Sequence, residues 1–136
     1  MTAEPSGRRV LVTGASSGIG AATVRLLSQR GWSVIAMARR EDRLKALEAE
    51  TGCAIIVADV TSDSDVLRVR ERVESSGGIS ALVNNAGGAI GIDPVDQADA
   101  DDWDAMFDVN VLGVQRMIKA LLPSLRKASA QLGVAN

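Results

Sequence analysis

Tyrosine and histidine are both absent from this 136-residue sequence, and cysteine occurs once, at Cys53. Without histidine and with a single thiol, a zinc site of the usual His/Cys kind is excluded, as is any Ser-His-Asp or Cys-His catalytic unit. Without tyrosine, no phenol is available as a general acid or nucleophile. One cysteine also excludes an internal disulfide framework and fits a reducing compartment. Aromatic residues make up 2% of the chain, too few for the stacking platforms that hold single-stranded nucleic acid. A formal charge of −2 supplies no global attraction to nucleic acid or to an anionic membrane. No apolar run approaches the length that spans a bilayer. Met1 to Arg9 is polar and lacks the apolar stretch of a signal peptide, so the expected address is the cytoplasm.

What is present suits one globular domain over residues 1–136, with a flexible start (1–7) and a tail without assigned structure (126–136). Hydrophobic residues are 46% and charged residues 24%, enough apolar material for a core. Short apolar runs alternate with longer amphipathic stretches. Arg9–Thr13, Ser33–Ala38, Ala54–Ala58 and Ala81–Asn84 are continuous apolar runs, as expected of strands covered on both faces. Ala21–Gln29, Asp42–Glu50 and a stretch capped by Thr61 or Ser62 read as helices. In the last of these, Val66, Val69 and Val73 recur at helical spacing. Gly31, Gly52 and Gly77-Gly78 stand where helices end. A loop from Ala86 to about Asp99 leads to a short acidic helix near Asp102–Phe107 and a long helix over about Val111–Leu125. Alternating strands and helices predict a doubly wound α/β domain with a four-stranded parallel sheet in the order 3-2-1-4. The aspartates from Asp93 to Asp108 read as a solvated loop and helix start.

Thr13-Gly14-Ala15-Ser16-Ser17-Gly18-Ile19-Gly20 joins the first strand to the first helix. A dinucleotide diphosphate needs bare backbone N–H groups and a helix N-terminus there, with no Cβ in the way. Three further signals follow. Asp59-Val60 stands at the carboxyl end of the third strand, where Asp59 can accept from an exocyclic adenine amine, or can instead cap the next helix. Asn84-Asn85-Ala86-Gly87 follows the fourth strand. Asn85, Ala86 and Gly87 are small enough for a ribose to lie against, although a turn also favours them, and Asn84 suits a tie between strands. Asn110, in Asn110-Val111-Leu112-Gly113, lies near the predicted start of the long helix, where an N-cap is the alternative.

With these four motifs in this order, residues from about Arg8 to Leu125 resemble the short-chain dehydrogenase/reductase family. The resemblance implies that Thr13, Gly14, Ser16, Ser17, Gly18, Ile19 and Gly20 hold the cofactor diphosphate. It implies that Asp59 and Val60 meet the adenine, that Asn85, Ala86 and Gly87 border its ribose, and that Asn110 is an active-site asparagine. The second strand ends at Ala38 without the carboxylate that accepts ribose hydroxyls in NAD sites, and Arg39 and Arg40 follow. Guanidinium donors there suit a 2′-phosphate, which predicts NADP over NAD with Arg39 the stronger contact. Two arginines on a solvated helix start are the alternative, and Glu41 and Asp42 stand close by.

The family performs hydride transfer with a Ser, a Tyr and a Lys in Y-x-x-x-K spacing beyond the long helix. This chain has no tyrosine, and Lys127 and Ser129 are not in that spacing. It is therefore expected to be a truncated cofactor half, inactive by the family's mechanism, with a small-molecule substrate only if the catalytic half is supplied. A non-catalytic nucleotide-binding module and a self-associating interaction protein are the other readings. Without a fifth strand, the fourth becomes an apolar sheet edge. The long helix is expected to expose Val114, Met117, Ile118, Leu121 and Leu122 on one face, which points to a homo-oligomer. No metal site is expected.

Overall fold

A computed structural model of the chain describes residues 7–133. The expectations for residues 1–6 and 134–136 lie outside the described residues.

Four strands, β1 (Arg9–Thr13), β2 (Ser33–Ala38), β3 (Ala54–Val57) and β4 (Ala81–Val83), form one sheet in the order β3-β2-β1-β4. All pairings are parallel, with Val10 opposite Val34 on one side and Ala81 on the other. The strands are apolar at successive positions because both faces are covered. Val10 and Val12 of β1, with Val34, Ala36 and Ala38 of β2, pack against Val24 of α1 (Gly18–Gln29) and Leu44 and Leu47 of α2 (Glu41–Thr51). The alternate residues, Leu11, Ile35, Met37 and Ile56, face α3 (Asp63–Ser75) and the last helix. Val66, Val69 and Val73 are the buried stripe of α3, and Ser62 is its cap, accepting from the Asp65 N–H at 3.2 Å. Gly52 ends α2 at φ +74°, a conformation that costs glycine least.

The region after β4 departs from expectation. Instead of two separate helices, α4 (Ala100–Phe107) runs through one wide π turn (Asp108–Leu112) into α5 (Gly113–Leu132). Phe107, Asp108, Leu112 and Gly113 all have right-handed helical backbone, so no cap interrupts the run. The cap lies further back, at Asp99, which accepts from the Asp101 N–H at 2.9 Å. The helix also continues beyond Leu125 to Leu132 despite Pro123, and residues 126–132 of the expected tail are therefore helical. The predicted apolar face of the long helix divides. Met117 and Leu121, four residues apart, are buried in the core shared with α3, whereas Ile118, about 100° further round, is 42% exposed. Gly113 gives the close approach: a Cβ there would lie 2.7 Å from Val60 Cγ2. Among the described residues, β4 pairs only with β1.

Candidate cofactor site

The carboxyl ends of the parallel strands open onto one cavity of about 390 Å³. This is the place a doubly wound sheet offers a ligand, because the strand exits diverge there and helix N-termini point at the gap. Its lining contains Gly14, Ser16, Ser17, Gly18 and Ile19 from the first turn, and Arg39 and Arg40 beyond β2. Asp59 and Val60 beyond β3, and Asn85, Ala86 and Gly87 beyond β4, complete the set gathered from distant parts of the sequence. Glu41 and Asp42 are absent from that lining, so β2 presents guanidinium groups and no carboxylate. Met37, Ala38, Ala58 and Val109 also line it and were not foreseen; the alanines at or just past strand ends were their only sequence signal.

Thr13 and Gly20, although predicted, do not line the cavity. They build it. Thr13 is 1% exposed, and its Oγ1 accepts from the Asn85 and Ala86 N–H groups at 3.0 and 2.9 Å while donating to the Val83 carbonyl. The Asn85 Nδ2 donates to the Thr13 and Gly14 carbonyls at 3.2 and 3.1 Å. The strand tie expected of Asn84 thus comes from Asn85, whose side chain lies over β1 where the chain leaves the β4 ladder. Gly20 allows this packing, since a Cβ there would collide with the Gly14 carbonyl and the Asn85 amide.

The N-terminus of α1 differs from those of α2, α3 and α4. Its Ser17 cap makes no side-chain capping bond and its first turn holds no carboxylate. By contrast, α2 begins with Glu41 and Asp42, α3 with Asp63 and Asp65, and α4 with Asp101 and Asp102. The positive end of the α1 dipole therefore faces the cavity without an internal counter-charge. Gly18 lies beside it at φ +55°, with no neighbouring atom within 4 Å of where a Cβ would stand. These open amides, with arginines at the second strand exit, fit a doubly phosphorylated ligand.

Asn110 does not cap a helix, as one reading of the sequence allowed; it lies inside the π turn. Its Nδ2 donates to the Gly88 carbonyl at 2.7 Å and its Oδ1 accepts from the Gly88 N–H at 3.1 Å. Gly87 has no Cβ to obstruct this contact, which would otherwise be 2.5 Å from Asn110 Oδ1. Asn110 thus secures the loop after β4 to the long helix. Asp59 does not cap α3 either. Its Oδ1 accepts from the Thr61 N–H and hydroxyl at 2.9 and 2.8 Å, and its N–H donates to Asp65 Oδ2 at 2.9 Å. That bond from the Asp59 N–H, followed by Arg68, holds the Asp65 carboxyl below the usual carboxylate range. Arg116 ties the π turn to the start of α3 and to the chain just past β3. It pairs with Asp108 at 2.7 Å and Asp63 at 3.1 Å and donates to the Val60 carbonyl, and its own value is raised chiefly by Asp108. Cys53 is buried in the other core, where desolvation raises its thiol. Among the described residues, no group of acidic, thiol or imidazole side chains is placed to hold a metal, and no helix is long and apolar enough to cross a membrane.

Comparison with known proteins agrees with this architecture. The family model for short chain dehydrogenases matches residues 8–133. Serine 3-dehydrogenase of Agrobacterium fabrum is 40% identical over 121 residues, covering 87% of this chain and 49% of that protein. An NADP-dependent 3-hydroxy acid dehydrogenase of Escherichia coli is 38% identical over 119 residues, covering 85% of this chain and 48% of its own length. The solved closed form of serine dehydrogenase complexed with NADP+ superposes with a TM-score of 0.83 at 37% identity, over 88% of this chain and 49% of that one. The chain thus spans about half the length of the curated relatives it matches. The sheet order, the glycine turn at its first exit and the match over residues 8–133 together establish that this chain belongs to the short-chain dehydrogenase/reductase family.

Proposed function

We propose that this chain is the NADP(H)-binding portion of a short-chain oxidoreductase, the class that interconverts carbonyls and alcohols by hydride transfer. The observation that carries this reading is the cavity lining: an uncapped helix N-terminus with its glycine turn, and two arginines with no carboxylate at the exit of β2. In this reading the amides from Gly14 to Gly20 hold the diphosphate and Arg39 and Arg40 hold a 2′-phosphate. Asp59 and Val60 meet the adenine, and Asn85, Ala86 and Gly87 border its ribose. When bound, the dihydronicotinamide supplies a hydride to a carbonyl carbon.

Thr13 and Asn110, neither of which lines the cavity, act on the protein side, fixing the β4 exit and the Gly88 backbone just past the lining residue Gly87. Asn110 is the one member of the family's active-site set that the resemblance assigns to these 136 residues. Hydride transfer to a carbonyl also needs a proton donor, which the family draws from tyrosine, and this sequence contains none. We infer that the 136-residue chain binds cofactor without reducing a ketone by that mechanism. The outer edge of β4, which has no strand partner among the described residues, and the exposed Ile118 favour self-association as a second property of the same chain.

Fluorescence titration with NADPH and NADH tests the reading. NADPH is expected to bind more tightly, and Arg39→Ala to weaken NADPH about fivefold while leaving NADH unchanged. Such a loss suits a charge-assisted bond reduced by solvent at an exposed arginine. Equal affinities for the two nucleotides, or no effect of Arg39→Ala, would overturn the NADP assignment; failure to bind either would overturn the function.

A further inference from the structure

The Asp59 carboxylate is held more firmly than a surface aspartate at a strand exit requires. Its Oδ1 takes both donors of Thr61. Its N–H is bonded to Asp65 Oδ2, and its carbonyl accepts from the Ser62 N–H at 3.1 Å. Asp65 is itself fixed through Oδ1 by Arg68 Nη2 at 3.2 Å, the same nitrogen that donates to the Val57 carbonyl at the end of β3. Among the described residues, Asp59 Oδ2 has no hydrogen-bond partner. Asp59 lines the cavity, whereas Thr61, Asp65 and Arg68 do not.

Helix capping alone does not account for Asp65. A carboxylate three residues after a serine cap ordinarily reaches back to the cap residue's own N–H. Here the Ser62 N–H is already given to the Asp59 carbonyl, and Asp65 reaches past the cap to the Asp59 N–H. The first turn of α3 thus grips Asp59 by both backbone groups, and Thr61 fixes which carboxylate oxygen remains free.

Resting on the cofactor reading above, we propose that Thr61 and Asp65 are positioning residues that aim Asp59 Oδ2 into the cavity and make the site select a 6-aminopurine over a 6-oxopurine. An ionised carboxylate only accepts hydrogen bonds. Held in one orientation, it pairs with the exocyclic amine of adenine and opposes the carbonyl oxygen that hypoxanthine presents at the same place. A carboxylate free to turn reaches the N1–H of hypoxanthine instead, and the preference falls.

The test compares NADPH with its hypoxanthine analogue, titrated against the 136-residue chain and its Thr61→Val, Thr61→Ser and Asp65→Ala variants. The unaltered chain is expected to prefer NADPH by about tenfold, the scale of one hydrogen bond to a charged group. Thr61→Val, which keeps shape and removes the hydroxyl donor, is expected to cut that preference to about threefold or less, and Thr61→Ser to restore it. Asp65→Ala is expected to act in the same direction, with Thr61→Val carrying the test should Asp65→Ala fail to fold. A merely structural role would weaken both nucleotides equally and leave their ratio unchanged, and that result overturns the proposal. So does an unaltered chain that binds both nucleotides without preference. If it binds neither, the cofactor reading itself fails and this proposal falls with it.

Discussion

Asp65 illustrates how much a single side chain contributes beyond its own element. It receives the Asp59 N–H, pairs with Arg68, and donates its own N–H to the Ser62 cap. Because the first two contacts hold its carboxyl below the ordinary value in the folded state, the stabilisation is present above the unfolded value and is lost as pH falls through the folded one. Asp65→Asn is therefore expected to be less stable than the unaltered chain near neutral pH, with the difference shrinking below about pH 4. Urea midpoints measured across that range check this, and a difference that stays constant down to pH 2 would contradict it. At this scale the sequence was legible where chemistry is local. Gly14, Gly18, Arg39 and Asp59 were recognisable from their positions after strands. The strand tie made by the Asn85 side chain and the clamp made by Arg116 were not, because each depends on partners that sequence distance conceals. Thr13 and Asn85 stand 72 residues apart, and Arg116 and Val60 stand 56 apart.

Among the elements, the four strands and the first three helices were readable from apolar runs, helical spacing and terminal glycines. The longest helix was readable as a helix, but its packing was not. Its valine, leucine and methionine content resembled one broad unpartnered face, yet Met117 and Leu121 are 0% and 1% exposed. Their burial beside Val66, Val69 and Val73 fastens α5 to α3 over the sheet. Leu121→Ala should cost about 3 kcal/mol, the transfer term plus the cavity that a rigid helix pair leaves. Chemical denaturation checks the magnitude, and a cost below about 1 kcal/mol would mean that the two helices are less firmly packed. The π turn was equally hidden. Nothing in Asp108–Leu112 demands a wide turn by propensity. It coincides with two fastenings, Asp108 to Arg116 two turns on and Asn110 to the distant Gly88, which give the distorted segment fixed partners.

At the level of the whole molecule, the sheet ends on β4, whose outer edge has no strand partner among the described residues. Phe107 of α4, Val111 of the π turn and Ile118 of α5 are 54%, 47% and 42% exposed. An apolar strand edge and exposed apolar side chains on the same molecule favour association. Static light scattering on the 136-residue chain is expected to report a mass that rises with concentration above 14.2 kDa; a constant 14.2 kDa would refute it. The sequence by itself determined the alternation of strand and helix, the glycine turn and the absence of any tyrosine or histidine. These follow from side-chain periodicity, backbone freedom and composition, all of which are local or additive. Only the tertiary structure decided which side chains line the cavity and which build it. It also decided which oxygen of Asp59 stays free and which side of the long helix is core. Those outcomes depend on distances between segments that the chain brings together only when the sheet closes its register.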